Sequence, residues 1–117
     1  NGGMTNMSEC KTHLTKVEGV MIGSAAYENP FLIQDIDSEI YGLEPVLKSK
    51  KAILNQYLDY VEEKLDQGYE LSKMMKHLFG LSRGDKYAKT FRIKILEVMK
   101  KESLKGHRQD LEDLLFY

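Results

Sequence analysis

Residues 19–30 read Gly-Val-Met-Ile-Gly-Ser-Ala-Ala-Tyr-Glu-Asn-Pro, and this stretch carries more structural information than any other in the chain. An apolar strand predicted at residues 19–22 would deliver Gly23 and the small residues after it into the start of a helix. A helix start presents backbone N–H groups, which suit a phosphate or another anion. The pattern therefore predicts an anion-binding loop around Gly23 and Ser24.

A second glycine turn, Asn1-Gly2-Gly3, lies 20 residues upstream of Gly23. Two glycine-bearing strand ends in succession resemble the last two βα units of a TIM barrel, which frequently bind phosphate. A complete barrel needs about 250 residues, and this sequence has 117. An isolated strand cannot satisfy its backbone groups. We therefore expect residues 1–43 to be a remnant of those two units, which would belong to the sheet of a larger protein.

Helical spacing of apolar residues dominates the remainder of the chain. It predicts helices over residues 5–16, 70–82, 85–102 and 107–116, with Thr5 or Asn6 capping the first. Asn29-Pro30 and Glu44-Pro45 each resemble a cap followed by proline, opening helices that end near Gly42 and Gly68. Short connections from residue 44 onward predict a compact antiparallel bundle over residues 44–117. The expected fold class is thus mainly α, a helical bundle preceded by a barrel remnant.

Composition excludes several classes of protein. Apolar residues make up 42% of the chain and charged residues 30%, which is typical of a folded domain and not of a disordered one. No apolar run approaches the ~18 residues of a membrane span, and no secretory signal pattern is present. The single cysteine cannot form an internal disulfide, which suits a reducing compartment. We expect a cytoplasmic protein, or one inside an organelle, with no membrane partner.

Charge is distributed unevenly along the sequence. Residues 1–72 hold 6 Lys/Arg and 12 Asp/Glu, whereas residues 73–108 hold 11 and 3. Clustered cations attract a phosphate backbone through counterion release, although such a run is also typical of a solvated helix surface. The predicted ridge of cations lies on one face of the helices predicted at residues 70–82 and 85–102, with Tyr87 available for base stacking. Its members are Lys73, Lys76, Arg83, Lys86, Lys89 and Arg92.

The cysteine, the histidines and the methionines could serve either a functional site or ordinary packing. Cys10 lies on the apolar stripe of its helix with Met7, Leu14 and Val17, which favours burial. Cys10 and His13 are one turn apart, but two ligands are too few for a structural zinc, so no metal is expected. His77 has two interpretations, RNA contact or ordinary packing, and both stay open. Three residues of the helix predicted at residues 70–82 are expected in the core: Met74, Met75 and Phe79.

These motifs resemble a known family, the tRNA-dihydrouridine synthases of the A-type branch. The resemblance rests on the two glycine turns, on Ala25-Ala26-Tyr27-Glu28-Asn29-Pro30, and on His77-Leu78-Phe79-Gly80-Leu81 with Ala88-Lys89-Thr90-Phe91-Arg92. The first block is similar to the end of the family's flavin barrel and the second to its C-terminal helical domain. The family usually has Arg directly after the glycine of the second loop, and this chain has Ser24.

The resemblance implies a function for the intact protein. It would reduce a D-loop uridine of tRNA to dihydrouridine with FMN, which NADPH re-reduces. The FMN phosphate would lie at Asn1, Gly2, Gly3, Gly23 and Ser24, and residues 44–117 would hold the tRNA. The family's catalytic Cys belongs to an upstream loop, so Cys10 does not inherit that role and no catalytic residue is assigned. The partners implied are tRNA and an N-terminal barrel of the same protein.

Two further interpretations remain open at this point. The chain could be a non-catalytic RNA-binding or scaffolding relic of such a synthase, since Ser24 replaces Arg and most of the barrel is missing. It could also be a helical module that binds another protein through apolar surface of residues 1–43. Salt-dependent RNA binding separates the first two interpretations from the third. None of the three gives the 117-residue chain an enzymatic activity of its own.

Overall fold

The computed structural model of the protein describes residues 3–44 and 48–116. The chain divides into two compact units, Asn1–Leu47 and Lys48–Tyr117, whose assignment as barrel remnant and tRNA-binding domain stays a prediction. The described residues are mainly helical and contain no strand, which confirms a mainly α fold. Predictions for Asn1, Gly2 and Pro45 lie outside the described residues.

The first unit begins with helix α1, Met7–Leu14. Of the two predicted caps, Asn6 serves: its side-chain oxygen accepts the N–H of Glu9 at 2.8 Å. Cys10 is buried as predicted. Val17 is 45% exposed, so its predicted place on the apolar stripe is wrong. The helix ends at Leu14, and Val17 therefore no longer follows helical spacing.

The strand predicted at residues 19–22 is also wrong, because residues 18–23 have no regular secondary structure. A strand is stable only when a neighbour completes its hydrogen-bond ladder, and the described residues supply no such neighbour. The helix predicted after Gly23 does form, as α2, Ser24–Glu28.

The helix predicted from Pro30 to Gly42 is divided into two pieces. A 3₁₀ helix occupies Pro30–Asp35, with Pro at its first position, and α3 follows at Ile36–Glu39. The opening turn is tight because the N–H of Leu32 bonds to the carbonyl of Asn29, three residues back. Gly42 then adopts a φ of +67°, the left-handed conformation that commonly ends a helix.

The second unit contains the longest helix, α4, Lys50–Asp66. The sequence predicted its start at Glu44-Pro45, but the helix begins at Lys50. Ser49 caps it by accepting the N–H of Ala52 at 3.0 Å, and side-chain capping fixes a helix start more strongly than spacing does. The predicted end of this helix near Gly68 is confirmed, since Gly68 has a φ of +92°.

The next two helices are shorter than predicted. Helix α5, Leu71–Met75, passes into a 3₁₀ helix, Lys76–Leu78, and the chain then runs in turns to Tyr87. Gly84, in these turns, has a φ of +83°, which is costly for other residues and breaks the helical path. Helix α6 begins at Ala88 and ends at Val98, and α7 is Arg108–Asp113.

The core of the second unit forms between these helices. Helix α4 contacts α5 and α7, and α6 contacts the same two helices. Met74 and Met75 are buried as predicted, whereas Phe79 is only partly buried. The side chains that lose essentially all solvent contact come from every one of these helices: Leu54, Leu58 and Val61 of α4, Met75 of α5, Phe91, Ile95 and Val98 of α6, and Leu111 of α7.

Across residues 3–44 and 48–116, no helix has both the length and the apolar character needed to span a membrane.

Candidate functional site

The first unit brings its two glycine loops to one cavity. Gly3, Gly23 and Ser24 line a pocket of about 260 Å³, together with Met4, Thr5, Met21, Ala25 and Glu28. The remaining predicted phosphate-binding residues, Asn1 and Gly2, lie outside the described residues. Ligand pockets for drug-sized molecules span about 300–1,000 Å³. The cavity is slightly smaller than this range.

The backbone conformation at this cavity accounts for the glycine at position 3. Gly3 has a φ of +83°, a conformation that side-chain-bearing residues rarely adopt. Gly23 precedes α2, and its carbonyl accepts the N–H groups of Ala26 and Tyr27 at 3.0 and 3.2 Å. A Cβ added at Gly23 would meet only the sulfur of Met21, at 3.6 Å. Crowding thus does not require glycine at position 23.

The second unit presents all six predicted RNA-binding cations to solvent. Lys73 lies in α5, and Lys76 begins the 3₁₀ helix after it. Arg83 and Lys86 lie in the turns before α6, so they are not on a helix face as the sequence suggested. Two cations, Lys89 and Arg92, lie one turn apart in α6.

Other cations of the same segment are engaged within the protein. Lys94 is 3.6 Å from Glu97 and 3.5 Å from Asp110. Arg108 lies 2.8 Å from Asp59 and 3.3 Å from Glu62. Partial burial opposes the charge of Arg108, but the two carboxylates outweigh it and raise the pKa of the guanidinium. Lys94 and Arg108 are thus neutralised locally. Of the six exposed cations, Lys73 lies 3.7 Å from Glu70 in a solvent-exposed ion pair, which contributes little at the surface.

A buried ion pair holds the turns that carry Arg83 and Lys86. Lys50 Nζ lies 2.6 Å from Asp85 Oδ1, and the two side chains are only 5% and 8% exposed. Lys50 also donates to the carbonyl of Arg83 at 3.3 Å, and the buried hydroxyl of Ser82 donates to the carbonyl of Ala88 at 3.4 Å. These bonds tie the connection between the 3₁₀ helix and α6 to the start of α4.

The sequence interpretation missed this ion pair. Lys50 belongs to a run of lysines and Asp85 is the sole acid in residues 73–96. An isolated acid within a basic segment is the available signal, but nothing local identifies Lys50 as its partner. The contact depends on how α4 packs, so it becomes visible only in three dimensions.

The histidines and the cysteine form no site. Cys10 is free and buried, and His77 is exposed. His107 is partly buried, with its Nδ1 3.4 Å from Lys94 Nζ. Within the described ranges, no group of three or more His, Cys, Asp or Glu residues could hold a metal ion.

Comparison with known proteins shows which protein family this chain is similar to. The model of the dihydrouridine synthase (Dus) family matches residues 1–115. A tRNA-dihydrouridine(20/20a) synthase of Vibrio cholerae is 38% identical over 97 residues, which cover 83% of this chain and 30% of that protein. A synthase with the same name from a Synechocystis species is 40% identical over 92 residues, covering 79% of this chain and 28% of that protein.

The chain therefore spans about 30% of the length of the curated relatives that it matches. The family match includes both glycine loops and all six exposed cations. The resemblance inferred from the sequence motifs is confirmed, and the chain belongs to the dihydrouridine synthase family.

Proposed function

We propose that this chain is the C-terminal part of a tRNA-dihydrouridine synthase, supplying the tRNA-binding surface and the phosphate end of the flavin site. The single observation that carries the proposal is the family match over residues 1–115, which includes the basic segment. The exposure of the six predicted RNA-binding cations in this segment supports it further. The whole enzyme would reduce a D-loop uridine in a tRNA that the second unit holds.

The proposed tRNA-binding residues are Lys73, Lys76, Arg83, Lys86, Lys89 and Arg92. Lysine and arginine contacts to phosphate position a nucleic acid without reading its sequence, which suits recognition of the common tRNA shape. The target base would have to leave its stack to reach a buried active site, at a cost of a few kcal/mol. Contacts made by this unit would help to offset that cost and orient the substrate.

The proposed flavin-phosphate residues are Gly3, Gly23 and Ser24, with Asn1 and Gly2 of the same loop. Their backbone N–H groups and the Ser24 hydroxyl would donate to phosphate oxygens, and Gly3, Gly23 and Ser24 line one cavity. FMN, when bound, supplies the hydride chemistry and NADPH re-reduces it. The chain's own contribution at this site is to bind and orient.

One feature of the cavity favours a second candidate function, a non-catalytic RNA-binding relic of a synthase. Ser24 stands where the family usually has Arg, and the carboxylate-bearing Glu28 lines the same cavity. A carboxylate near a phosphate site disfavours anion binding. In the relic, the second unit would keep its affinity for RNA while the flavin site no longer functions.

Equilibrium binding of tRNA by the 117-residue chain tests the function common to both candidates. We expect binding that weakens steeply as salt increases, because phosphate contacts release counterions. Absence of binding at low salt would contradict the proposed function. FMN titration of a longer chain that includes the rest of the barrel then separates the synthase from the relic.

A further inference from the structure

We propose that Tyr87 and Phe116 form an aromatic platform on which one unstacked base of the bound RNA stacks. The inference rests on the proposed tRNA binding and adds to it a base contact. The two ring centroids are 5.9 Å apart with a tilt of 32° between the ring planes. Tyr87 is 42% exposed and Phe116 is 55% exposed. Both side chains are thus accessible to solvent.

A cation lies at the same place. Lys86 Nζ is 5.5 Å from the centroid of the Tyr87 ring, and Lys89 follows in the first turn of α6. Exposed aromatic rings beside lysines are the combination with which proteins bind single-stranded RNA, since bases stack on the rings and cations meet the backbone. Charge complementarity therefore favours RNA over an apolar segment of a protein as the occupant.

The main chain next to each of the two rings is anchored to the rest of the second unit. The Tyr87 carbonyl accepts the N–H of Phe91 at 2.8 Å, and Phe91 is fully buried. Asp85, two residues before Tyr87, is held by Lys50. Phe116 follows Leu115, which is buried in the core. Binding a base would thus require little ordering of the main chain, which reduces the entropic cost of binding.

The chain contains a matched control for this platform. Tyr60 and Tyr69 are 49% and 59% exposed, and Lys64 Nζ lies 5.6 and 5.5 Å from their ring centroids. The composition is the same, two rings and a lysine. Its surroundings are acidic, since Glu62, Glu63, Asp66 and Glu70 are close in sequence, so carboxylates would repel RNA there.

The test compares the double variant Y87L/F116L with Y60L/Y69L in the 117-residue chain. Leucine keeps apolar surface but removes the ring face. We expect Y87L/F116L to weaken binding of tRNA and of a short single-stranded RNA by roughly 5-fold to 100-fold. The slope of affinity against salt should stay unchanged, because no phosphate contact is lost. Y60L/Y69L should bind as the unaltered chain does.

The outcomes are distinguishable. If the unaltered chain binds tRNA with a steep salt dependence and Y87L/F116L binds equally well, the platform is refuted while the proposed function stands. Equal loss in both double variants also overturns it, since the effect would then be general. If the unaltered chain binds no RNA, both proposals fail together. Circular dichroism and the thermal midpoint of each variant verify that the fold is retained, and Y87F/F116Y, which keeps both rings, should restore affinity.

Discussion

At the scale of single residues, one carboxylate organises the start of α1. Glu9 accepts the backbone N–H of Thr5 at 3.0 Å and its hydroxyl at 2.9 Å, while Asn6 accepts the N–H of Glu9. The helix start is thus closed by reciprocal side-chain bonds, as in a capping box. The bonds from Thr5, first that of its backbone N–H, lower the pKa of Glu9 below its ordinary value.

Removing the cap should destabilise the helix that carries Cys10. We expect Asn6→Ala to lower the free energy of unfolding of the first unit by about 0.5–2 kcal/mol, as loss of a side-chain cap usually does. Urea unfolding followed by circular dichroism gives the value. Ser8→Ala, two residues further along the same helix, is the control and should change little.

The lowered pKa of Glu9 predicts a pH dependence. Because the folded pKa lies below the ordinary value of 4.5, the carboxylate's contribution to stability is present above that value. It is lost as the pH falls through the folded pKa. Thermal unfolding of the unaltered chain and of Glu9→Gln between pH 7 and pH 3 should therefore converge towards low pH. Parallel curves over the whole range would show that Glu9 contributes nothing.

At the scale of elements, α6 separates the core from the candidate RNA surface. Ile95 is fully buried and Ile93 is 54% exposed, so two isoleucines of one helix have opposite environments. Ile95→Ala should lower the free energy of unfolding by about 2–5 kcal/mol, because it leaves a cavity. Ile93→Ala should change it by about 0.5 kcal/mol or less. Similar losses in the two variants would mean that α6 faces the core differently.

The buried pair of Lys50 and Asp85 gives another test at this scale. Lys50→Met leaves a buried carboxylate without its partner, so we expect a loss of about 3–5 kcal/mol in the free energy of unfolding. Lys48→Met, at an exposed lysine nearby, is the control. The double variant K50M/D85L should recover much of the loss, since the uncompensated charge is gone. A Lys50→Met variant as stable as the control would contradict the structural role.

The elements also show how far the sequence could predict the fold. Helical spacing identified the helices that carry Cys10, Leu54 and Phe91, because each has a clear apolar stripe. Helix ends were predicted less well: Ser49 displaced the start of α4, and the turns around Gly84 shortened α5 and α6. The predicted strand failed because pairing is not a local property. The exposed cations were predicted, whereas their anchoring by Lys50 depends on tertiary packing.

At the scale of the whole molecule, the two units differ in how much they bury. Of the ten largest fully buried side chains among the described residues, nine lie in the second unit and only Cys10 lies in the first. Local stability follows buried apolar surface. We expect amide hydrogens of residues 1–43 to exchange faster than those of residues 44–117. Equal protection on both sides of Gly42 would contradict this difference.

Another prediction concerns the catalytic activity of the 117-residue chain. The 117-residue chain has only a proposed site for one end of the flavin and no assigned catalytic residue, so we expect no dihydrouridine synthase activity and no tightly held flavin. The two measurements are the visible absorbance of bound flavin in the purified chain and dihydrouridine formation on unmodified tRNA. A yellow preparation with stoichiometric FMN would overturn this expectation.

The exposed cations of the second unit are proposed to hold tRNA. The salt dependence of tRNA binding tests this role directly. If all six meet phosphates, log K should fall against log salt with a slope between roughly −4 and −5. Lys89→Ala with Arg92→Ala should flatten that slope by about 1 to 2 units. The control, Lys48→Ala with Lys105→Ala, removes the same charge outside the six cations and should change it much less. No binding, or an unchanged slope in the Lys89/Arg92 variant, would contradict the claim.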